Sequence, residues 1–146
     1  MAHSKTVKID LSEINELIYK LQSSSDTVMN IIRESAAKWS ETTEGDYASK
    51  IPYKNGFRRA KNSRDRNSST FHHVSSKGGN NVTISIGHES YIARFLEVGV
   101  KSHDIQQGNR ILRHPGFTGT RTLRKTIDKH RSDLITQIED GLKTLI

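Results

Sequence analysis

The 146-residue sequence contains no cysteine. That excludes a disulfide framework and any zinc or iron–sulfur centre built on thiolates, and it fits a chain that works in a reducing compartment. No apolar run approaches the ~20 residues needed to span a bilayer, so no membrane contact is expected. The N-terminal stretch MAHSKTVKIDLSEI carries no apolar core of the kind a secretory signal needs. The expectation is a protein made and used in the cytosol. Apolar residues make up only 32% of the chain, and its mean hydropathy is −0.68. A chain of this size forms one compact domain, 1–146, and such a polar one often buries further surface against partner subunits. No internal repeat at a solenoid period is present.

The patterns that mark catalytic or metal chemistry are missing too. The seven histidines show no His-x-x-x-His or His-x-His spacing beside a carboxylate. His72 and His73 are neighbours on a strand and point to opposite faces. Ser102-His103-Asp104 has the residue types of a triad, but three consecutive side chains point apart, and no Gly-x-Ser-x-Gly elbow exists. Asp65, Glu89, Glu97 and Asp104 stand alone, whereas a metal-dependent nuclease needs clustered carboxylates. The glycines fit neither a Walker A loop nor Gly-x-Gly-x-x-Gly. The expectation is a protein that is not an enzyme, with no catalytic residue, metal or cofactor.

What the chain does have is charge, and the charge is segregated. The net charge is +7 and the isoelectric point about 9.8. Asp10 to Asp46 holds eight acids against three bases, whereas Lys50 to Arg66 holds seven bases and one acid, and Arg110 to Arg131 repeats that ratio. One reading is an acidic face meeting a neighbour's basic face in a homo-oligomer. The other is solvated faces that keep the chain in solution. Arg58, Arg59, Lys61, Arg64 and Arg66 are the candidates for contact with DNA phosphates or with a neighbouring ring. Phe57 is the one aromatic among them, which is thin for a single-strand binder.

The periodicity predicts an α+β fold: a small, mainly antiparallel sheet with a β-hairpin, flanked by long N-terminal and C-terminal helices and a short internal helix. Asp10 as N-cap with Glu13 three residues on opens an amphipathic helix from about Leu11 to Thr42, with Ile14, Ile18, Leu21, Val28, Ile32 and Trp39 on its stripe. The run Ser23-Ser24-Ser25-Asp26 is a place for a break. Residues 43–69 lack a period and predict a long mobile loop, basic from about 45 to 69. Strands follow over Thr70–Ser76 and Val82–Ile86, joined through Gly78-Gly79-Asn80-Asn81. HESYIARFLEVG reads as a short helix closed by Gly99. A second basic loop spans about 100–119, with a short strand near Arg110–Arg113. The last helix, about Thr120 to Leu145, carries Leu123, Ile127, Leu134, Ile138, Leu142 and Leu145.

Three segments together resemble a known family. IPYKNGFRRA (Ile51 to Ala60), with Pro52 and Gly56, resembles the Pro-x-x-Thr-Gly element, then basic residues, of the tail-completion or neck family of siphovirus-type bacteriophages. Asn55 stands in place of the Thr. IARFLEVGVKSH is similar to that family's Tyr-Ala-x-aromatic-aliphatic-Glu-x-Gly-Thr element through Ala93, Phe95, Leu96, Glu97 and Gly99, with Ile92 and Val100 as departures. HPGFTGTRTLRKTID is similar to the His-Pro-Gly element that opens the last helix, through His114, Pro115, Gly116 and Leu123. Glu97 sits at the unfavourable end of a helix dipole and so needs a partner, for which Arg110, Arg113 and Arg121 are the candidates. The motifs are equally consistent with holding the fold together and with direct interface roles.

The resemblance implies a structural virion protein of the head–tail junction or tail end, assembled in the host bacterial cytoplasm. It implies a homo-oligomeric ring that completes the tail and joins it to the DNA-filled head. Its expected partners are copies of itself and other neck and tail proteins, such as head-completion and tail-terminator proteins, with non-specific contact to packaged DNA. The alternative is a small basic nucleic-acid-binding protein.

Overall fold

The computed structural model describes residues 3–9, 25–76 and 81–145. Its elements are β1 (His3–Ile9), α1 (Ser25–Ser49), α2 (Ser63–Arg66), β2 (Thr70–Ser75), β3 (Val82–His88), α3 (Tyr91–Val98), β4 (Gly99–Val100), β5 (His103–Gln107), β6 (Arg110–His114), β7 (Phe117–Thr118) and α4 (Thr122–Lys143). The architecture is α+β: two long helices, a short helix, and small antiparallel sheets with hairpins.

β3 is the centre of a three-stranded sheet ordered β1-β3-β2, both pairings antiparallel. Its alternation puts Val82, Ile84 and Ile86 into the core. The hairpin between β2 and β3 forms as expected, with Ser75 opposite Thr83, while its Gly78–Asn80 turn lies outside the described residues. The strand β1 was not anticipated. Its signal is only seven residues long, His-Ser-Lys-Thr-Val-Lys-Ile, and it pairs with a strand some 80 positions away, which no local pattern announces.

Helix α1 lies on β2 and β3 and packs its other side against α4. Val28, Ile32, Ala36, Trp39, Thr43 and Tyr47 recur at three- and four-residue steps and are all buried. The helix is described from Ser25, and the positions from Asp10 to Ser24, including Glu13, Ile14, Ile18, Leu21 and most of the polar run expected as a break, lie outside the described residues. It continues to Ser49, seven residues past the expected end. Thr43 and Tyr47 extend the buried stripe, so packing overrides a weak local preference.

Leu123, Ile127, Leu134, Ile138 and Leu142 of α4 are buried as the pattern predicts. The helix packs chiefly on α1 rather than on the sheet. Two polar devices set the register of the pair. The Trp39 indole Nε1 donates to the His130 carbonyl at 2.6 Å. Asp46 accepts from His130 Nε2 at 2.7 Å, with Lys50 at 3.2 Å and Lys129 at 3.7 Å. The His130 hydrogen bond holds the Asp46 carboxyl below the usual carboxylate range.

The expected mobile loop after α1 is a folded segment instead. Gly56 N–H donates to the Tyr53 carbonyl, Phe57 N–H to the Asp65 carbonyl, and Asn62 caps the single turn α2 by accepting from Arg64 N–H at 2.8 Å. These local hydrogen bonds come from Asn, Ser and Gly, which composition alone assigns to loops, whether ordered or not. The second expected loop, 100–119, holds the strands β4 to β7. The strand anticipated near Arg110–Arg113 is β6.

Candidate functional site

All three motif segments meet at α3. Ser90 caps its N-terminus, the hydroxyl accepting from Ile92 N–H at 3.2 Å. The same hydroxyl donates to Asp65 Oδ1 at 2.8 Å, and the Asp65 carbonyl accepts from Phe57 N–H, which links the helix to the first motif segment. His88 completes the joint. Its Nδ1 accepts from Ser90 N–H at 3.0 Å and its Nε2 donates to the Tyr53 carbonyl at 2.9 Å. Both bonds together demand the neutral Nε2–H tautomer. Tyr53 and Phe57 stack with ring centroids 4.7 Å apart, and both meet the His88 ring edge-on. Pro52 is exposed, and Gly56 lies against the Arg66–Asn67 backbone.

Burial pushes the His88 imidazole below the ordinary histidine range. The unfolded chain takes up this proton near pH 6.5 and the folded one does not. Stability is therefore fully present above about pH 6.5 and falls as the pH drops from there toward the depressed folded value. A urea midpoint lower at pH 5.5 than at pH 7.5, with a smaller difference in His88→Gln, is the expected result. An equal pH dependence in that variant would remove His88 from the account.

The other end of α3 joins the remaining motif. Gly99 ends the helix at φ +81, where a side chain would strain the backbone and run into Phe117–Gly119. Gly99 and Val100 pair with Thr118 and Phe117. Arg121, the residue before α4, has φ +52 and gives its helix no side-chain cap. Glu97 supplies one from a distance: its carboxylate accepts from Leu123 N–H at 2.9 Å and Arg124 N–H at 3.0 Å. The partner of Glu97 is thus not a side chain of Arg110, Arg113 or Arg121. It is the positive end of the α4 dipole, where an anion is favoured. Thr120 and Arg121 N–H groups add bonds to the Leu96 and Glu97 carbonyls.

Between these paired segments runs an open groove of about 600 Å³, lined by residues 98–101 and 115–119. From its rim rises the β5–β6 hairpin. The pairing of Gln107 with Arg110 leaves a two-residue loop, Gly108-Asn109, with Gly108 at φ +57, as in a type II′ turn. The hairpin is held by its own side chains. His103 stacks on His114 at 4.9 Å, and Arg113 bonds Asp104 at 3.0 Å and Ser102 at 3.2 Å. His114 Nδ1 also accepts from Gly116 N–H, with Pro115 exposed between them. Every residue of β5 and the first four of β6 are exposed.

This arm and the outer face of α3 carry apolar side chains in water. Ile111 is 73% exposed, and Ile105, Leu112 and Phe117 are also exposed. On α3, Tyr91, Phe95 and Val98 fall at i, i+4 and i+7 on one exposed face, while Ala93 is buried on the opposite one. The motif positions therefore divide. Ala93 and Leu123 pack the core, Leu96 is half-buried, Glu97 and Gly99 join backbones, and Phe95 faces out. Sequence reasoning anticipated β6 but missed β5 and the hairpin they form, although Gly108-Asn109 between DIQQ and RILR was a usable signal.

The five candidate cations all lie exposed on the folded 51–69 segment. Arg66 is partly engaged, donating to the Ala60 and Lys61 carbonyls at 3.1 Å. His72 is paired with Glu44 at 3.2 Å. Among the described residues no group of three or more His, Cys, Asp or Glu side chains is placed to hold a metal ion, and no helix is long and apolar enough to cross a membrane. Comparison with protein-family models, curated proteins and solved structures finds no match.

Proposed function

We propose that this chain is a structural protein of the head–tail junction of a long-tailed bacteriophage, of the tail-completion or connector kind, acting in the virion as a homo-oligomeric ring. The observation that carries this reading is the exposed β5–β6 arm with Ile105, Ile111 and Leu112, standing beside an apolar α3 face and a groove. A two-stranded ribbon alone in water is marginally stable, and contiguous exposed apolar surface marks interaction sites. The arm and the groove at its foot lie together, and a head-to-tail contact of this region with another surface of the next copy closes into a ring when the rotation allows. Two of the three motif segments that resemble the neck family, the one ending at His103 and the one starting at His114, flank this arm. The role is assembly, with no covalent step, and its partners are further copies and the adjoining head-completion and tail-terminator proteins.

The test is electron microscopy of lysates from a phage whose copy of this gene is deleted. DNA-filled heads lying apart from full-length tails are expected, and joined virions would overturn the reading. Complementation with Ile111→Asp is expected to leave heads and tails apart. That variant should keep the wild-type circular dichroism spectrum and Tm, because Ile111 contributes almost nothing to the monomer core. Full restoration of joined particles by Ile111→Asp would remove the arm from the contact.

A further inference from the structure

We infer that the outer face of the folded 54–66 segment is a binding site for the phosphate backbone of double-stranded nucleic acid. Lys54, Arg58, Arg59, Lys61 and Arg64 are all exposed there. The segment doubles back through the Phe57 N–H bond to the Asp65 carbonyl, which brings its two cation-bearing limbs side by side. Among the described residues none of the five has a carboxylate within ion-pair distance, although Lys50, Arg113, Arg124, Lys129 and Arg131 elsewhere do. The segment's one acid does not offset them locally, because the Asp65 carboxylate is turned inward onto the Ser90 hydroxyl at 2.8 Å.

Two further features narrow the ligand to a duplex. Tyr53 and Phe57 are stacked on one another, and both meet His88 edge-on. Both half-buried rings are committed to this cluster, whereas single-strand binders present rings as open platforms for unpaired bases. The exposed residues of the segment after Pro52 are all polar or charged. A specific protein partner needs a buried apolar anchor at the centre of its interface, and this face offers none. A cluster of exposed cations without apolar anchors suits a regular row of phosphates read for charge alone. The internal hydrogen bonds hold the backbone that carries these cations before the ligand arrives, which lowers the ordering cost of binding. Duplex binding by this face holds whether or not the chain forms a ring.

The test is fluorescence anisotropy of the full chain with a mixed-sequence 30-bp DNA duplex at 50 and 200 mM salt. Three to five phosphate contacts give a slope of log K against log salt of about −2.7 to −4.5, a loss of about 40- to 500-fold over that range. Arg58→Glu/Arg59→Glu/Arg64→Glu is expected to lower affinity at least 100-fold and to flatten the slope by about 2.7. None of these three side chains holds the segment together, and Arg66, which does, is left intact. Arg110→Glu/Lys125→Glu/Lys143→Glu has the same net charge, at exposed positions on the arm and the last helix; it is expected to stay within about threefold of wild type. A matched RNA duplex in parallel identifies the source of the phosphates as whichever binds more tightly. Equal losses in the two triple variants would overturn the site, since total charge would then explain binding. Tighter binding of single-stranded DNA than of either duplex, or binding of a polyglutamate peptide alone, would also overturn it.

Discussion

Replacing Trp39 with alanine is expected to destabilise the fold by about 3–5 kcal/mol, the range for truncating a buried Trp or Phe. For a chain of this size that corresponds to a Tm lower by about 6–20 °C. Trp39 is fully enclosed where α1 faces α4, in one cluster with Ile32, Ala36, Ile127, Leu134 and Ile138. Alanine removes the ring contacts, leaves a cavity between two long helices, and deletes the indole bond to the His130 carbonyl. Trp39→Phe separates the terms. It keeps most of the apolar volume and loses the hydrogen bond, so a cost of about 1–2 kcal/mol is expected. Urea unfolding followed by circular dichroism measures both, because the only tryptophan, and with it its fluorescence, is gone. A cost below about 1 kcal/mol for alanine is incompatible with a packed α1–α4 interface.

Glu97→Ala is expected to cost about 2–3 kcal/mol, the scale of charge-assisted hydrogen bonds to otherwise unsatisfied donors. Two N–H groups of the first turn of α4 lose their acceptor, and that of Leu123 lies in a buried residue. Arg121 cannot compensate, because it sits in the left-handed region and its side chain makes no cap. Glu97→Gln keeps the shape, loses the charge and can satisfy one donor well, so about half the cost is expected. Amide exchange at Leu123 and Arg124 should accelerate in both variants. Salt discriminates between this arrangement and an exposed ion pair with an arginine. A surface pair is screened away at 1 M salt, whereas directed hydrogen bonds to backbone N–H groups persist. A Glu97→Gln effect that vanishes in 1 M salt would contradict the cap.

The two variants probe different levels of the same fold. Trp39 acts through burial, which the three- and four-residue spacing from Val28 onward made legible. Glu97 acts through a contact across 26 positions. Its helix-terminal placement predicted a partner of opposite sign, but an arginine side chain and a helix N-terminus carry that sign equally well. Only the approach of α3 to α4 chose between them.

Local patterns were sufficient wherever one periodic face met one core. The α+β class, the stripe of α4, the alternation of β3, the paired strands after residue 70 and the Gly99 cap were all readable from spacing, because each reflects a preference acting within a few residues. Tertiary structure alone decided what depends on distant partners. It paired β1 with β3, extended α1 to Ser49 and turned Asp65 inward to Ser90. It also left Ile111 and Phe95 in water, although they belong to the same residue types that elsewhere fill the core. Hydrophobicity says that an apolar side chain gains by being covered, at about 25 cal/mol per Å². It does not say which surface of which chain does the covering.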